Sequence, residues 1–128
     1  MKRVFLIFSL CTLLFLPVYS SSSTTEGTEF WLTFMNNIER APGDQSVETK
    51  LIISSRYTQE VLVQNPQTDW KITVSVEADK IMTVPIPHEQ GYTFNDAQVE
   101  NRGVVVTSTY PISLYASNYR DASYDATI

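Results

Sequence analysis

The chain has 128 residues, 43% of them hydrophobic and 18% charged, which is enough for one packed domain and too apolar for wholesale disorder. Nine basic against fourteen acidic residues give a formal net charge of -5, which excludes a broad basic surface for nucleic acid. A single cysteine and a single histidine exclude an internal disulfide, a multi-cysteine zinc or iron–sulfur centre, and every site that needs two histidines.

The first segment reads as an export address. Met1-Lys2-Arg3 is basic, Val4 to Leu16 is almost wholly apolar, and Pro17 and a run of serines follow. This is the layout of a secretory signal peptide over residues 1–20. As a helix, Val4–Leu16 would reach only about 20 Å, short of the roughly 30 Å needed to span a bilayer. No membrane span is expected once the signal is removed. Cys11 follows Leu10 and sits inside the apolar run, so it reads as a small apolar residue and not as a lipid anchor. Removal of residues 1–20 leaves seven basic against fourteen acidic residues, a net charge of −7, and no cysteine. Residues 21–26 read as a flexible polar linker, and residues 27–128 as the folded domain.

Within the domain, short apolar runs alternate with turn residues. Phe30 to Met35 is apolar on both faces and predicts a central strand covered on both sides. Asn36 to Gln45, with Pro42-Gly43-Asp44, predicts a polar loop. Strands are expected at Thr49–Ser55 and Glu60–Gln64, the latter stopped by Asn65-Pro66. Trp70, Ile72, Val74 and Val76 alternate with Lys71, Thr73, Ser75 and Glu77, the period of a strand with one face in a core. Ala78-Asp79 turns the chain into a strand over Lys80–Ile86, and Gly91–Phe94 reads as loop. Asn101-Arg102-Gly103 predicts a turn into Val104–Ser108. Pro111–Ser117 reads as a separate strand with Pro111 at its first position, where no ladder donor is required, and Asn118 as a left-handed bend after it. Tyr124–Ile128 begins a further strand, so the pattern predicts a domain incomplete on its C-terminal side. No window has helical spacing over three turns. The fold class expected is all-β, an antiparallel β-sandwich or barrel.

Two stretches carry a family likeness. The first is Thr25-Glu26-Gly27-Thr28-Glu29-Phe30-Trp31-Leu32-Thr33-Phe34-Met35-Asn36-Asn37. The second is Gly103-Val104-Val105-Val106-Thr107-Ser108, then Tyr110-Pro111-Ile112-Ser113-Leu114-Tyr115-Ala116-Ser117-Asn118, then Ser123-Tyr124-Asp125-Ala126. In this order they resemble the N-terminal domain family of the IgGFc-binding protein. The resemblance implies a secreted or cell-surface β module for binding or adhesion, of which this chain holds the N-terminal part and which further β sequence would complete. It implies no catalytic residues.

The residues themselves point the same way. His88 lies in a proline-rich turn with no second histidine to assist it, and reads as a polar loop residue. The acidic residues include no calcium-loop pattern; Glu39, Asp44 and Glu48 read as a wet loop, and a glycosidase pair is not legible from scattered acids. No cofactor is expected. Tyr110, Tyr115, Tyr119 and Tyr124 crowd the last twenty residues. The candidate contact set for an extracellular protein or glycan is Tyr115, Asn118, Tyr119 and Arg120, because tyrosine and arginine concentrate at recognition surfaces. The competing reading makes Tyr115 a plain strand residue and the others cover for a sheet edge. The function expected is a non-enzymatic extracellular binding domain. The alternatives are a purely structural segment of a longer surface protein and a carbohydrate-active accessory module.

Overall fold

A computed structural model describes residues 25–36, 47–94, 97–120 and 123–127. The expected signal at 1–20, the first part of the linker and nearly all of the polar loop from Asn36 to Gln45 lie outside the described residues.

Seven strands form one antiparallel sheet: β1 (Glu26–Leu32), β2 (Glu48–Ser55), β3 (Gln59–Gln64), β4 (Lys71–Val76), β5 (Ile81–Pro85), β6 (Val104–Arg120) and β7 (Ser123–Thr127). The all-β antiparallel class is the one the strand periods predict. A four-residue helix, α1 (His88–Gly91), replaces the start of the expected loop.

The registers show how the sheet is built. β6 is continuous over 17 residues, and β2 and β3 lie end to end along one of its edges: Ser55 faces Ile112, then Val61 faces Ser108. β5 and β4 lie end to end along the far side of β2 and β3, with Ser54 opposite Ile81 and Gln59 opposite Val76. β1 and β7 share the other edge of β6, where Glu26 faces Ser113 and Thr127 faces Ala116. The sheet therefore has four tracks, and each is interrupted at the same level. The interruptions are Glu77–Lys80, Arg56–Thr58, Thr109–Pro111, and the irregularity between Gly27 and Glu29.

That aligned break is where the sheet folds over. Val47 and Asn65 stand at opposite ends of the β2–β3 track, eighteen steps apart, which is roughly 60 Å of extended chain at ~3.3 Å per residue. Yet His88 Nε2 is 2.6 Å from the Val47 carbonyl, and Asn65 Nδ2 donates to the Gln90 carbonyl at 3.0 Å. Two positions of one short helix cannot reach both ends unless the track doubles back. The two halves, β4-β3-β6-β1 and β5-β2-β6-β7, thus face each other in a nearly closed, barrel-like fold. Sandwich and barrel meet in a single sheet bent across its middle.

Side-chain parity carries through the break. Leu51 and Ile53 of β2, Val61 and Val63 of β3, Val76 of β4, Val84 of β5, and Val104, Val106, Ile112 and Leu114 of β6 are all buried in one cluster. The segment between β5 and β6 closes the end opposite the bend. Phe34 N–H donates to the Gly91 carbonyl at 2.7 Å and Thr93 N–H to the Phe34 carbonyl at 2.8 Å, while Tyr92 is buried between the His88 and Phe94 rings. Gly91 packs closely there: a Cβ would lie 3.0 Å from Val104 and 3.1 Å from Ile86.

Four local expectations are corrected. β1 pairs only with β6 among the described strands and leaves Trp31 67% exposed, so it is an edge strand and not a doubly covered one. Val104–Ser108 and Pro111–Ser117 are one strand, and exposed Pro111 sits at its irregularity, where it breaks no ladder. Asn118 is in regular strand pairing with Thr49 and Asp125; the only non-glycine residue with positive φ among those described is Asp79, at 58°. His88 opens α1, and its ring joins the cap instead of standing in a loop.

Candidate functional site

On β6 the even positions from Ile112 to Arg120 face the core; of the odd positions Ser113, Tyr115 and Tyr119 keep exposed surface, while Ser117 is buried at 1% exposure. Tyr115 and Tyr119 are therefore outward and exposed, four residues apart on one face, while Asn118 and Arg120 are only 5% and 6% exposed and point inward. The four candidate contact residues do not converge. Asn118 Nδ2 donates to the Met35 carbonyl at 2.7 Å and fixes the chain beyond β1, a folding role.

Cross-strand register adds what the linear sequence hides. One outward row crosses all four tracks beside the bend: Ile81, Ser54, Ser113, Glu26. Two small hydroxyl residues between larger neighbours leave a shallow depression of about 250 Å³, lined also by Ser55, Arg56, Asp79 and Lys80. Arg56 Nε lies 3.3 Å from Glu26 Oε1. The next outward row is Thr83, Ile52, Tyr115, so the Tyr115 ring stands one row from this floor. On the bend itself Tyr57 and Tyr110 lie against each other with their rings tilted by 34°, both about half exposed, with ring centroids 4.7 Å apart.

The bend is held by one buried side chain. Gln59 Nε2 donates to Ser55 Oγ at 2.9 Å and to the Tyr110 carbonyl at 3.1 Å, and Gln59 Oε1 accepts from Tyr110 N–H at 2.8 Å. The primary amide thus substitutes for a backbone pair where the ladder between β3 and β6 lapses, and it presents the Tyr57–Tyr110 pair at the surface. Asp79 N–H donates to the Ser55 carbonyl and Ala78 N–H to Thr58 Oγ1, which ties the third track to the same corner.

Among the described residues, no group of three or more His, Cys, Asp or Glu side chains is placed to hold a metal ion, and no helix is long and apolar enough to cross a membrane. The surface offers aromatic faces, hydroxyls and a balanced set of charges on strands β2 and β6, each paired on both edges at Ser54 and Ser113. No family model matches this chain, and neither a curated protein nor a solved structure matches it.

Proposed function

We propose that the chain is an exported, non-enzymatic β domain that binds an extracellular protein or glycan through the outer face of its sheet. The observation that carries this reading is the exposure of Tyr115, Tyr119 and the Tyr57–Tyr110 pair on a sheet whose other face already fills its own core. Tyrosine rings that keep this much area at the surface offer it for contact at low entropic cost. The export layout of residues 1–20 and the likeness to the IgGFc-binding protein N-terminal domain family support an extracellular setting.

Two measurements test it. N-terminal sequencing of the secreted protein should find the chain starting between Ser21 and Thr24. Labelled protein should bind extracellular surface material saturably, and a Tyr115→Ser, Tyr119→Ser double variant with unchanged circular dichroism should bind less. Retention in the cytoplasm, or equal binding by the variant, overturns the reading.

A further inference from the structure

We infer that the transverse depression beside the bend is a subsite for a neutral, hydroxyl-rich glycan; this rests on the binding function proposed above and names its ligand class.

Three observations select this occupant. The first is the hydrogen-bonding state of the floor. β2 is paired on both edges, with β5 and β6, and β6 is paired at Ser113 with both β1 and β2. The open outer edges belong to β1 and β5 and run along the strands, whereas a peptide laid in the groove would cross the strands and meet only paired backbone at Ser54 and Ser113, so strand addition does not occur within the groove. What remains is side-chain chemistry: the hydroxyls of Ser54 and Ser113, the Arg56 guanidinium and the Glu26 carboxylate, each suited to sugar hydroxyls.

The second is charge. Glu26 and Asp79 are balanced by Arg56 and Lys80 within the lining, and Arg56 is already directed to Glu26. A sulfated or sialylated chain would gain no excess of positive charge here and would approach a chain of net charge -5. A neutral sugar meets donors and acceptors in equal supply.

The third is the placement of the rings. Tyr115 stands one outward row from the serine floor on one side, and the tilted Tyr57–Tyr110 pair stands on the bend at the other. The depression's own lining holds no aromatic ring, so these tyrosines flank it: a chain longer than one sugar would set its polar rims on the hydroxyl floor and an apolar ring face on a tyrosine beyond it. The floor is small by sequence: a bulky residue at Ser54 or Ser113 would fill it.

The test uses the purified protein on an array carrying neutral oligosaccharides terminated in glucose, galactose, mannose or N-acetylglucosamine, with sialylated and sulfated chains on the same array. Neutral chains should bind and anionic ones should not bind better. In calorimetric titration with the strongest neutral chain, Tyr115→Ala and Tyr110→Ala should each weaken binding by about tenfold, the loss expected for one aromatic contact. Ser113→Tyr should abolish binding while circular dichroism and thermal midpoint show the fold intact. If that variant fails to fold, Ser54→Leu asks the same of the other floor position. Thr73→Ala, on the outer face of the opposite half, should leave binding unchanged. Absence of neutral-glycan binding, preference for anionic chains, or full binding by a folded floor variant overturns the inference. Periodate and protease treatment of the extracellular material separates the two levels: binding that survives periodate and is lost to protease means a protein ligand, so this inference falls and the binding function stands, whereas no binding before treatment removes both.

Discussion

Replacing Gln59 tests whether one amide holds the sheet's fold line. The side chain is 9% exposed and makes three hydrogen bonds, two of them to the backbone of Tyr110. At ~0.5–1.5 kcal/mol net for each bond, and with Tyr110 near enough to solvent for partial rehydration, Gln59→Ala should cost about 2–3 kcal/mol. For a domain of this size that is a fall in thermal midpoint on the order of 10 °C, read by far-ultraviolet circular dichroism or urea titration. Gln59→Glu separates the bonds from the volume. The introduced carboxylate keeps the acceptor for Tyr110 N–H but sets an oxygen against the Tyr110 carbonyl, where the amide has a donor. Its protonated form restores a donor, so the native state favours the proton and the folded-state pKa is raised. The native state then binds more protons than the unfolded state, and the variant should gain stability relative to wild type as pH falls through that raised value. An alanine cost below about 0.5 kcal/mol, or a Gln59→Glu deficit that ignores pH, would refute the account of the bend.

Three further predictions concern the frame around the site. Asn65 is 1% exposed, donates to the Gln90 and Asn101 carbonyls and accepts from Gln67 N–H, so Asn65→Ala should cost about 2–3 kcal/mol in urea unfolding; a neutral result would mean that the cap does not depend on it. Gly91→Ala puts a methyl within 3.0–3.2 Å of Val104, Ile86 and Phe34, and should destabilise by about 1–3 kcal/mol, measured by thermal midpoint. Asp79 holds φ 58°, so Asp79→Gly should be neutral or stabilising by up to about 1 kcal/mol and Asp79→Val destabilising by about 1–2 kcal/mol; the opposite order would contradict the turn geometry.

Legibility from the sequence followed the reach of each physical signal. Strands β2 to β5 lie within a residue or two of where short apolar runs bounded by turn residues, and for β4 a period of two, put them, because these signals are local in sequence. β6 is legible only in halves: Pro111 looks like a strand start, and its place at an irregularity depends on partners distant in sequence. The doubling of the sheet was out of reach for the same reason, since the four interruptions are unremarkable singly and form a corner only when registers align them. Trp31 misleads by composition, because a large apolar residue does not reveal that its strand has a partner on one side only. For the site, Tyr115 and Tyr119 could be placed on a common outward face by parity, and the same parity separates them from Asn118 and Arg120, which share the even positions of Ile112 and Leu114. Ser54 and Ser113 carried no sequence signal, because they become neighbours through pairing between β2 and β6.

The sharing of one β6 edge by β1 and β7 has a mechanical consequence. Glu26 and Thr127 lie opposite Ser113 and Ala116, so these two points are separated by only about 10 Å along the strand. Polypeptide arriving at residue 26 and leaving after residue 127 meets the body of the domain at nearly one spot, which hangs it to the side of any tether. Tension between those points peels β1 and β7 from their tips, opening hydrogen bonds one after another instead of loading a whole ladder at once, so the domain should yield at a lower force than one whose terminal strands are sheared along their length.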